Sequence, residues 1–164
     1  MIQAVVDDLA FVEADAVLRP ANDRLEPVTP AAVRLDRQAG PAFAAECRSA
    51  VELDAGSAII TRGGDLAAGF VLHVILQDQD SAASPEIVRR ALSAAWRRAS
   101  EWGLAALASA PIGAGPGLLD MDDAVALMAE TLLAAPEPRP AVTIVLEREA
   151  DRELVDAAIR RVLA

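Results

Sequence analysis

Phe70-Val71-Leu72-His73-Val74-Ile75-Leu76 is apolar at every position but one. A strand with one wet face alternates apolar and polar residues, and this one does not. The segment therefore reads as a strand buried on both faces, in a sheet covered by helices on two sides. Working outward, further strand candidates lie at residues 2–6, 16–19, 58–61, 104–110 and 142–146. Helical patterns alternate with them. Thr29-Pro30 is a start signal, with Thr as N-cap and Pro at the first position, and Gly40 is a stop. A short helix is expected over 41–51. Ser84-Pro85 opens a long helix that runs to Trp102, with Val88, Leu92, Ala95, Trp96, Ala99 and Trp102 on its core face and Gly103 ending it. Two more helices are expected over 121–134 and 150–163, the last with Leu154, Val155, Ala158, Ile159 and Val162 inward. Residues 77–84 and the proline-rich stretch 136–140 read as loops. This order predicts an α/β fold, a three-layer α/β/α sandwich with a mixed, mostly parallel sheet, formed by one domain over residues 1–164.

The chain has 164 residues and a net charge of -10, which argues against an extended surface for DNA or RNA. It contains no lysine and no tyrosine, so every cation except His73 is arginine. Cys47 is the sole cysteine, which excludes an intrachain disulfide and a cysteine zinc cluster. Met1 leads straight into a strand-like segment, and no apolar run is long enough for a bilayer. No signal peptide and no membrane partner are expected, and the expected compartment is the cytoplasm.

Chemistry in such a fold collects beyond the carboxyl ends of the strands. Two segments belong there. Pro111-Ile112-Gly113-Ala114-Gly115-Pro116-Gly117-Leu118 follows a strand candidate and precedes a helix start at Asp120-Met121-Asp122-Asp123. Glycines allow backbone N–H groups to approach phosphate oxygens, and a helix start favours negative charge. The same glycines also suit a plain tight turn. The second segment is the end of the strand at 16–19, where Ala21 and Asn22 stand at the tip of a small-residue turn.

In order along the chain, Asp7-Asp8-Leu9, Arg19-Pro20-Ala21-Asn22, the segment Ala55-Gly56-Ser57-Ala58-Ile59-Ile60-Thr61, then Val71-Leu72-His73 and Ala110-Pro111-Ile112-Gly113-Ala114-Gly115-Pro116-Gly117-Leu118 resemble the motifs of the macro domain family. The resemblance covers nearly the whole chain. It implies the binding of ADP-ribose or a related nucleotide, free or carried on a modified protein. It further implies that Asp8 accepts a hydrogen bond from the adenine amino group, with the Leu9 backbone beside it. Asn22, next to Ala21, matches the contact to the distal ribose. Pro111, Ile112, Gly113, Ala114, Gly115, Pro116, Gly117 and Leu118 match the loop that wraps the diphosphate. The implied cleft lies between residues 21–27 and 112–118, and no cofactor or metal is implied.

The departures from the family bear on mechanism. Counting from Asn22, the family's glycine run falls on Pro27-Val28-Thr29-Pro30 and the aspartate of its hydrolytic members on Ala32. Proline has no N–H, valine and threonine resist positive φ, and alanine is neither acid nor base. Glu147 stands where the family often presents an aromatic ring to the base, and Arg148 offers a guanidinium plane next to it. Binding without hydrolysis is the expectation, with no catalytic residue assigned. The alternatives are a hydrolase of non-standard mechanism and a non-binding interaction module.

Several residues carry a plainer reading beside the functional one. Asp8 also suits a turn, and Asn22 also suits a loop that bonds its own backbone. His73 is expected to be a hydrogen-bonded core histidine rather than a base, and Cys47 a buried thiol near Ala44 and Val51. Trp96 and Trp102 are expected to pack in the core. Asp120, Asp122 and Asp123 are expected to cap and complement a helix start, facing solvent. The arginine pairs Arg89-Arg90, Arg97-Arg98 and Arg160-Arg161 read as solvated helix faces.

Overall fold

The computed structural model describes residues 1–50 and 52–164. Six strands form one sheet: β1 (Ile2–Val6), β2 (Ala16–Asn22), β3 (Ala58–Arg62), β4 (Phe70–Gln77), β5 (Ala106–Ser109) and β6 (Ala141–Leu146). Their order is β1-β6-β5-β2-β4-β3. Every neighbouring pair is parallel except the edge pair β3 and β4. The helices are α1 (Pro30–Arg48), α2 (Pro85–Glu101), α3 (Met121–Ala134) and α4 (Arg152–Leu163).

The apolar run of β4 divides by the pleat of a strand. Leu72, Val74 and Leu76 enter one core with α2, α3 and α4; Val71 and Ile75 enter the other, with Leu35, Ala39 and Phe43 of α1. Two cores on opposite faces of one sheet make the three-layer sandwich that the pattern predicts. Thr29 and Ser84 cap their helices as expected, their hydroxyls accepting from Ala32 N at 3.1 Å and Ile87 N at 3.2 Å.

Gly40 breaks rather than ends α1. Its φ of 86° interrupts the helical backbone, and helix resumes at Pro41. That positive φ favours glycine, and a Cβ there would displace the exposed Asp65 carboxylate, 2.6 Å away at Oδ2. Val51, expected to close this helix, lies outside the described residues. The strand at 16–19 continues to Asn22 through Pro20, which β2 accommodates because β5 pairs with it only at Ala16 and Val17. The strand at 104–110 is shorter than expected, since Asp15 captures the Ala105 and Ala106 amides at 2.8 and 2.9 Å at its start.

Three packing expectations need correction. Trp102 is 54% exposed at the C-cap of α2, where its ring meets that of Phe70 edge to face. Leu154 is exposed, as it precedes the inward face formed by Val155, Ala158 and Ile159. Asp120 occupies the N-cap of α3 without a side-chain hydrogen bond, so it complements the helix by charge alone. Trp96 is buried and donates to Thr131 Oγ1 at 2.8 Å. Cys47 is buried, and burial raises its thiol pKa. The paired arginines lie on exposed faces. No helix among the described residues is long and apolar enough to cross a membrane.

Candidate nucleotide cleft

β2 and β5 pair only at their beginnings, and β2 then runs on alone beside β4. The sheet parts at its carboxyl edge, at the point where strand order departs in two directions. That is where ligands enter an open α/β sheet. A cleft of about 670 Å³ opens there, floored by Pro20, Leu76, Ala110 and Val145. One wall is the glycine loop; the opposite wall is Val28, Thr29, Pro30, Ala31 and Arg34 at the start of α1. The facing wall thus begins beyond the expected residues 21–27. A second cavity of about 410 Å³, lined by Asp7, Asp8, Leu9 and Ala10, adjoins the first. Ala31, Arg34, Ala110, Val145 and Glu147 border both.

The glycine loop is built as an internally bonded ring. Gly115 N donates to Leu119 O and Leu119 N to Gly113 O, each at 3.2 Å, while Leu118 N donates to Gly115 O. Ala114 N reaches Pro111 O at 3.4 Å. Ile112 is buried, its N–H directed at Met128 Sδ. These bonds occupy most of the loop's donors. Among the described residues, the N–H groups of Gly113 and Gly117 find no acceptor in the protein, and Pro116 has none to offer. Gly113 adopts a φ of 90° with Val88 Cγ1 3.0 Å from any added Cβ, so only glycine fits. Gly115 and Gly117 also have positive φ, but a Cβ on either would meet open space. Pro116 and Leu118 line the cleft without closing it.

The other sequence-predicted residues fall in different places. Pro111, Ile112, Gly113, Ala114, Gly115, Pro116, Gly117 and Leu118 all line the larger cavity, whereas Asp8 and Leu9 line the smaller one. Asp8 Oδ1 accepts from Ala10 N at 3.0 Å, which caps a short 3-10 turn, and its second oxygen is unengaged among the described residues. Ala21 is fully buried and borders neither cavity. Asn22 borders neither as well. Its side chain accepts from Arg24 N at 2.9 Å and Glu26 N at 3.0 Å and donates to Glu26 Oε1 at 3.2 Å. Asn22 therefore holds the loop that leads to α1, which is the plainer of the two readings.

Charge in the cleft is paired. Arg148 binds Asp151 through two bonds, at 2.9 and 3.1 Å, which raises the arginine pKa and commits the guanidinium plane. Arg34 of α1 pairs with Glu147 beyond β6. Sequence reasoning marked Glu147 and Arg148 but missed Arg34, whose one signal was an arginine within a wall expected to be small and apolar.

Behind the cleft lies a buried polar network that the sequence reading did not foresee. Arg19 is 1% exposed and binds both oxygens of Asp36 at 2.7 Å and Leu25 O at 2.9 Å. It also meets His73, which reaches Thr61 Oγ1 at 2.8 Å. The network joins β2, β3, β4 and α1, and it holds the loop at Leu25, whose φ of 57° is the one positive value on a non-glycine residue among those described. His73 is a satisfied core histidine, as expected.

The Macro domain family model matches residues 18–128, and the chain belongs to this family. A protein of Mycobacterium tuberculosis is 33% identical over 74% of this chain, and the match covers 34% of that protein. The chain thus spans about a third of the length of its mycobacterial relatives. An Oceanobacillus iheyensis macrodomain with ADP superposes at a TM-score of 0.79, with 21% identity over 98% of this chain and 90% of that one. A Trypanosoma brucei macrodomain in complex with ADP-ribose superposes at 0.81, with 18% identity over 96% of this chain and 68% of that one.

Proposed function

We propose that the chain binds ADP-ribose in this cleft and does not hydrolyse ADP-ribosyl groups. The observation that carries the reading is the glycine loop that lines the cavity, in which the amides of Gly113 and Gly117 find no acceptor among the described residues. Two N–H donors in a concave backbone suit an anionic oxygen without requiring a basic surface. The diphosphate occupies the larger cavity, and the base enters the smaller one, where the free oxygen of Asp8 accepts from an exocyclic amine. The ligands seen in the Oceanobacillus and Trypanosoma structures support this choice of chemistry. Against hydrolysis stands the chemistry of the first wall. Pro30 has no N–H, and Ala32, just behind the wall, has its N–H held by Thr29 Oγ1 and no group to activate water.

Calorimetry with ADP-ribose tests the binding, and incubation with an ADP-ribosylated protein tests the chemistry. Heat with wild type, its loss in Asp8→Ala with Gly115→Glu, and no release of ADP-ribose are expected. No heat and no thermal shift at millimolar ligand would overturn the binding claim. Catalytic turnover would overturn the second claim and leave the first standing.

A further inference from the structure

The first wall of the cleft is the start of α1, where Pro30 has no N–H and the amides of Ala32 and Val33 just behind it are taken by Thr29. The protein carries a net charge of -10, and Glu147 and Asp151 both border the cavity. Neutral backbone amides alone, in that field, leave most of a diphosphate's charge uncompensated. Among the described residues, two cations line the larger cavity, Arg34 and Arg148. Arg148 is fixed by its bidentate bond to Asp151. Arg34 is placed differently. It borders both cavities, in the position where a ligand with its base in one and its phosphates in the other must pass. Its partner, Glu147, borders both as well. The side chains are 53% and 65% exposed, so their pair is solvated, weak and ready to exchange.

We infer that Arg34 is a diphosphate-binding residue and that Glu147 is its built-in competitor. This rests on the nucleotide reading above and extends it to a side chain. In the free protein the guanidinium is held across the junction of the two cavities by the carboxylate. On binding, it leaves Glu147 and forms charge-assisted hydrogen bonds to the phosphate oxygens, which match its planar fork better than an ammonium would. The exchange has a consequence for affinity. Freed Glu147 stands beside the diphosphate with like charge, so binding is weaker than the backbone amides and an arginine would give alone. The pair therefore sets affinity rather than fold.

The test is calorimetry with ADP-ribose, and with adenosine as the phosphate-free probe. The proteins are wild type, Arg34→Gln, Glu147→Gln, the double variant, and Arg89→Gln. Arg89 is an exposed arginine of α2, paired with Glu130 of α3, and its loss changes net charge as Arg34→Gln does. Arg34→Gln should weaken ADP-ribose about 10- to 100-fold, the range for a lost charge-assisted bond. Adenosine affinity should not change. Glu147→Gln should tighten ADP-ribose a few-fold, about the worth of an exposed pair, and the double variant should resemble Arg34→Gln. Arg89→Gln should stay within about twofold of wild type. If Arg34→Gln binds ADP-ribose as wild type does, or if Arg89→Gln loses as much, the role of Arg34 falls while the nucleotide reading stands. If neither wild type nor Glu147→Gln binds ADP-ribose, the nucleotide reading itself is lost, and this inference with it.

Discussion

Arg19 Nη1 lies 3.2 Å from His73 Nδ1, and this contact settles which ring nitrogen of the histidine carries the proton. A guanidinium only donates, so Nδ1 accepts. Nε2 therefore bears the hydrogen and donates to Thr61 Oγ1. Burial first, and the Arg19 charge second, lower the His73 pKa to about 3. Between that value and the unfolded value near 6.5, the unfolded chain holds a proton that the folded chain does not. The contribution of this group to stability is complete above about pH 6.5 and declines as pH falls towards 3. Urea unfolding should show wild type losing about 2 kcal/mol more than His73→Gln between about pH 7 and about pH 4.5. Equal losses would mean the ring is not held neutral.

The other side of Arg19 is its ion pair with Asp36. Arg19 is fully buried and Asp36 is a quarter exposed. Asp36→Ala strands a buried guanidinium and should cost about 3 kcal/mol. Arg19→Met with Asp36→Ala should be milder than Asp36→Ala alone, because it removes both charges. Chemical denaturation of the three proteins measures the difference.

Gly113 and Gly117 share positive φ but not surroundings. Gly113→Ala meets Val88 and should lower stability by about 2 kcal/mol through strain and contact together. Gly117→Ala meets open space and should cost about 1 kcal/mol from backbone conformation alone. Thermal unfolding of the two variants should rank them in that order.

Trp96 depends on Thr131. The indole N–H donates to the threonine hydroxyl, which donates in turn to the carbonyls of α3. Thr131→Val keeps the shape and leaves a buried indole N–H without a partner. It should cost about 1–3 kcal/mol in urea unfolding. A cost within error of zero would mean the bond adds nothing.

The alternation of strand and helix, the capped helix starts at Thr29 and Ser84, the two-faced burial of β4 and the glycine loop were all legible in the sequence. Each is a local pattern, and local backbone preference together with pleat or helical period fixes it. Helix ends were less legible: Trp102 at the C-cap of α2 and Leu154 in the first turn of α4 continue the apolar period but are exposed. Three matters needed the tertiary structure. Asn22 turns back into its own loop and borders neither cavity, because the Arg24 and Glu26 amides, two and four residues on, donate to its side chain. Arg19 is buried, although nothing about an isolated arginine marks burial, because Asp36, Leu25 and His73 converge on it from other elements. Arg34 meets Glu147 across more than a hundred residues of chain, and only the tertiary fold brings those two charges to the junction of the cavities.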